Sequence, residues 1–136
     1  MGKTTRLFVL FSISFVLMLA CTTRVPPTVT RPPVSPFPKD AKIFLQAARD
    51  HPRIQQSLQN AGFSLSTEWS GAEYALLVKI GARRGAGKCG TVNNVAYVLT
   101  TGGRRVMVIK GRGPTGTCPG NILDEMSRTL ASYAGS

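Results

Sequence analysis

The chain has 136 residues, 17 Lys and Arg against 6 Asp and Glu, and a formal charge of +11. That length supports one core and excludes two ordinary domains. A single histidine, His51, and six scattered carboxylates supply neither a strong metal signature nor a nucleophile-base pair, so no catalytic residue, no metal and no cofactor is expected.

The chain opens on two basic residues, Lys3 and Arg6, followed by the uncharged run from Leu7 to Ala20. This is the pattern of a secretory signal, too short to span a bilayer comfortably. It closes on Leu17-Met18-Leu19-Ala20-Cys21, which resembles the lipobox of bacterial lipoproteins, with Met18 where leucine is usual. The resemblance implies a diacylglyceryl group on the Cys21 sulfur, removal of residues 1–20 as the signal peptide, and acylation of the new amine. Thr22 stands where enteric lipoproteins retained at the inner membrane carry aspartate, so the resemblance implies the outer membrane, with the domain facing the periplasm.

Loss of the signal leaves 15 basic residues against 6 acidic ones. An exported chain of that charge meets lipid headgroups, lipopolysaccharide phosphates, cell-wall carboxylates or acidic envelope proteins, so no nucleic acid is expected as a partner. Residues 21–38 hold Pro26, Pro27, Pro32, Pro33, Pro36 and Pro38 and no acidic residue. They read as a lipidated cysteine and a polyproline tether, about 50 Å long at roughly 3.1 Å per residue. Residues 39–136 then form a single domain.

Within it, Ile43, Leu45 and Ala47 alternate as a strand does, although Asp40 would also cap a helix there. His51-Pro52 breaks the segment. Ile54, Leu58 and Ala61 share one face of a short helix ended by Gly62, with Gln55, Gln56 and Gln59 outside. Phe63 to Trp69 and Tyr74 to Arg84 read as strands, the second with Tyr74, Leu76, Val78 and Ile80 on one face. Asn94–Thr100 and Arg105–Arg112 follow, joined by a Gly102-Gly103 hairpin. Asn121 is the N-cap of a closing helix with Ile122, Met126, Leu130 and Tyr133 inward. The expected fold is α+β: a small, mostly antiparallel sheet of four to five strands with two helices on one face, in the order β-α-β-β-β-β-α.

If the three central strands run up, down and up, the loops bearing Cys89 and Cys118 leave the same end of the sheet. An oxidising envelope then favours a Cys89–Cys118 disulfide. The same end collects Arg83, Arg84, Lys88, Lys110 and Arg112 beside the glycine-rich stretch 111–120, a candidate site for an anion or an acidic partner. Gly87-Lys88 is no phosphate loop, because Ala82 and Cys89 stand where glycine and Ser or Thr are required. Trp69 and Tyr97 are candidates for an aromatic platform.

The order from Ile43-Phe44-Leu45-Gln46 through Ala61-Gly62-Phe63 to Ala72–Val78 resembles small envelope lipoproteins of the surface-exclusion and curli-assembly type, and in architecture lipopolysaccharide-transport accessory lipoproteins. The resemblance implies a non-catalytic binding or assembly-accessory domain within an envelope complex. The alternatives are a component of a conjugation or secretion apparatus and a cell-wall-acting enzyme.

Overall fold

Residues 24–81, 84–87, 90–116 and 118–135 are described by the computed structural model, with only the backbone described for 84–87 and 90. The signal 1–20, Cys21, Arg83, Lys88 and Cys89 lie outside the described residues.

The stretch expected to be a free tether is part of the sheet. Val25–Arg31 forms β1, an edge strand antiparallel to the last long strand, with Val25 opposite residue 112 and Val29 opposite residue 109. Pro26 and Pro27 are tolerated there because an edge strand has one row of donors to spare, and the register shifts twice along the pairing. Phe37–Pro38 forms β2, which pairs in parallel with a final two-residue strand, Ala134–Gly135. Phe37 is buried against Phe63 and Tyr74.

Lys42–Ala47 is β3, a strand as its alternation indicates, with Ile43 and Leu45 buried. Asp50 turns the chain at φ 55°, and α1 spans His51–Asn60, with Pro52 in its first turn. His51-Pro52 therefore opens the helix and does not merely precede it, since a fixed proline φ suits a first turn. Gly62 at φ 96° ends the passage. Of the segment from Phe63 to Trp69, only Ser64–Ser66 (β4) pairs with β3. The Ser66 hydroxyl donates to Glu68 O at 2.7 Å and turns the chain into a short 3₁₀ helix at Trp69–Gly71, so the expected strand to Trp69 stops early.

Tyr74–Ile80 (β5), Arg84–Gly87 (β6), Gly90–Thr101 (β7) and Arg104–Pro114 (β8) follow. The hairpin between β7 and β8 turns on Gly102 and Gly103, at φ 56° and 78°, where a side chain would be strained. Ile122–Ser132 is α2, with Asn121 Oδ1 accepting from the Asp124 amide at 2.9 Å, and Ala134–Gly135 is β9.

The main sheet has seven strands in the order β1-β8-β7-β5-β3-β4, with β6 paired to β7. β3 is parallel to both β4 and β5, and the other pairs are antiparallel. The fold is thus α+β with two helices on one face, as expected. It has more strands than the sequence indicated, because β1 and β6 are an edge and a short addition that carry little local signal.

Leu45, Leu76, Leu99 and Met107 form one cross-strand row of the helix-covered face, and Ala47, Val78, Tyr97 and Ile109 the next. Ile54 and Leu58 of α1 and Ile122, Leu123, Met126 and Leu130 of α2 close over them. Gly111 and Gly113 lie inside β8, not in a loop, and let α2 approach: a Cβ on Gly113 would sit 3.0 Å from Ile122 Cβ. Tyr133, expected inward, is the helix C-cap and is exposed.

A cation-rich end of the sheet as candidate site

Strand direction brings separate parts of the chain to one end. β5 ends there, β7 begins there and β8 ends there, since Ile80 is opposite Val95 and Val92 opposite Pro114. β3 runs parallel to β5, so it delivers the start of α1 to the same end. β1, antiparallel to β8, enters the domain there.

Of the expected cations, Lys110 is exposed and pairs in register with Ala96, and Arg112 is half-buried and donates through Nε to Asn94 Oδ1 at 2.7 Å. Arg84 belongs to β6 at this end by its backbone. Arg24, Arg49, Arg53 and Lys79 join them. Arg49 donates to Ile80 O and Gly81 O at 2.6 and 2.8 Å, and Arg53 to Thr115 O at 2.7 Å, so both guanidiniums fasten the start of α1 to the strand ends. Lys79 was legible as an outward position of an alternating strand. Arg24, Arg49 and Arg53 arrive only through pairings distant in sequence.

The start of α2 is already satisfied. Asn121 caps it, Asp124 and Glu125 lie in its first turn, and Arg24 pairs with Glu125 and donates to Gly120 O at 3.0 Å. Those carboxylates fill the positive helix end, so an anion at the start of α2, as the glycine-rich stretch suggested, meets like charge. Ser57 Oγ donates to Asp124 Oδ1 at 2.6 Å and ties the two helices together.

Asn93 is buried beside this end, its Nδ2 donating to Thr91 O and Thr115 Oγ1 at 3.1 and 2.9 Å, while Oδ1 has no partner among the described residues. Cys118 lies half-buried just before α2. Trp69 and Tyr97 do not form a platform. Trp69 is exposed at the β4 edge with its ring edge-on to Phe44 at 5.5 Å, whereas Tyr97 is buried under α2 with its hydroxyl 3.2 Å from Ser127 Oγ.

No helix among the described residues is long and apolar enough to cross a membrane. The architecture is a mixed sheet backed by two helices, one end rich in cations. Solved structures share that fold. The PelC dodecamer of Paraburkholderia phytofirmans superposes in two crystal forms, with TM-scores of 0.53 and 0.54 at 16% and 15% identity, over 81% of this chain and 99% and 98% of that one. A minor lipoprotein of Acinetobacter baumannii matches more loosely, with a TM-score of 0.40 at 12% identity over 71% of this chain and 91% of that one. At such identities the likeness to PelC is one of fold alone. No protein-family model matches the chain, and no curated protein does.

Proposed function

We propose that this chain is a lipid-anchored, non-catalytic envelope lipoprotein, acylated at Cys21 after removal of residues 1–20, whose domain binds an anionic envelope component through its cation-rich end. A Cys89–Cys118 disulfide staples that end, and the protein sits at the outer membrane facing the periplasm. The observation that carries the reading is the pairing of Val25 with residue 112. It brings the chain in at the end where Lys79, Lys110 and Arg112 cluster. Cys21 precedes Arg24 by three residues, a reach of at most about 10 Å, so lipid and cations work at one surface. The long tether expected from the prolines is thereby reduced to a short link.

Two variants test this. Cys21→Ser releases the protein from membranes and removes the acyl mass from the mature N-terminus. Association of the wild-type protein with anionic vesicles or lipopolysaccharide weakens with salt, and reversing Arg83, Arg84 and Arg112 to Glu abolishes it, while reversing Arg104 and Arg105 at the opposite hairpin has little effect. Wild-type protein without an acyl mass, or equal binding by both reversal variants, contradicts the reading. The alternative, a component of a conjugation or secretion apparatus, draws support from the dodecameric state of the PelC structures. It requires the purified lipoprotein to sediment as a defined oligomer.

A further inference from the structure

The face of the sheet away from the helices carries a trough of about 400 Å³ at the cation-rich end. Lys79, Ala96, Lys110 and Thr28 are successive register partners across β5, β7, β8 and β1, so their side chains stand on one face. Lys79 and Lys110 flank the small side chain of Ala96 with one strand between them, which separates their Cα atoms by about 10 Å. Two flexible four-carbon stems close that distance around a phosphate. Arg112 borders the trough on the next row, held by Asn94 through Nε, and none of the described residues that line it is a carboxylate. Among the described residues neither lysine has an ion-pair partner.

The floor is mostly apolar, made by Val25, Ala96 and the bare backbone at Gly81. A free inorganic anion has no use for such a floor. An anionic lipid does, since its phosphate needs the cations and its glycerol and first methylenes need apolar surface. Position agrees with chemistry, because Val25 lines the trough and Cys21 stands four residues before it in the sequence. We propose that this trough is a headgroup site for an anionic phospholipid of the leaflet that holds Cys21. The proposal rests on the lipid anchoring above and adds the ligand class and Lys79, which the sequence pattern alone did not assign.

The test uses the mature lipoprotein in nanodiscs of phosphatidylcholine containing phosphatidylglycerol, released for native mass spectrometry. Wild-type protein retains phosphatidylglycerol over phosphatidylcholine by about thirtyfold, and the Lys79→Glu, Lys110→Glu double variant loses that preference, as expected for two lysines near an anionic surface. The variant's circular dichroism and melting curve establish that it is folded. Arg104→Glu with Arg105→Glu keeps the preference. Equal retention by wild type and the Lys79, Lys110 variant overturns the site, and so does its complete displacement by millimolar inorganic phosphate, which would mark a free-anion site. The same spectra report the acyl mass on Cys21, so failure of anchoring and failure of the trough are read separately.

Discussion

Tyr97 shows how a single residue couples the sheet to its helix. Its ring lies in the core row between Val78 and Ile109, and its hydroxyl reaches Ser127 Oγ at 3.2 Å. Burial pushes the phenol well above its ordinary range; the Ser127 hydrogen bond works the other way, and the nearby Asp124 charge adds to the rise. The folded chain therefore holds this proton more tightly than the unfolded chain, whose phenol titrates near ~10. Stability from this group is complete below that pH and is lost as pH rises through it. Tyr97→Phe is expected to remove that part of the alkaline loss and to cost about 1 kcal/mol at neutral pH, as urea melts at pH 7 and pH 11 would show.

Among the elements, β5, β7 and β8 carry the clearest test of strand order, through the cysteines at positions 89 and 118. A Cys89–Cys118 bond would close a stretch of about thirty residues and would stabilise the domain by roughly 3 to 4 kcal/mol on the chain-entropy view. Non-reducing peptide mapping of exported protein is expected to recover the linked pair, and reduction to lower the melting temperature; two free thiols would remove the staple. That β5 and β8 end together was readable from local pattern, because Tyr74–Ile80, the Gly102-Gly103 turn and the β8 alternation each specify themselves within a few residues. The Asn121 cap was readable for the same reason. β1 was not: it lies in a stretch, residues 21–38, whose six prolines and sparse apolar residues look like tether, and only the partner edge of β8 makes Val25–Arg31 a strand. The site divides likewise. Lys110 and Arg112 follow from β8, whereas Arg49 and Arg53 reach the same end only because β3 runs parallel to β5.

At the scale of the whole molecule, the entry of the chain, the cation-rich end and the open-face trough coincide, while the Gly102-Gly103 hairpin and Arg104 and Arg105 lie at the far end of β7 and β8. A domain linked to lipid by three residues stands end-on to the membrane, and one on a 50 Å proline tether has no fixed orientation. From Asn94 to Gly102 is about 25 Å of extended strand, enough to separate the two geometries. The direct measurement is energy transfer to headgroup-labelled lipids from a fluorophore at position 94 or position 102 of the mature lipoprotein in anionic vesicles. Strong transfer from 94 and weak transfer from 102 is the expected result; equal transfer from both, or the reverse order, would contradict attachment of the cation-rich end to the membrane.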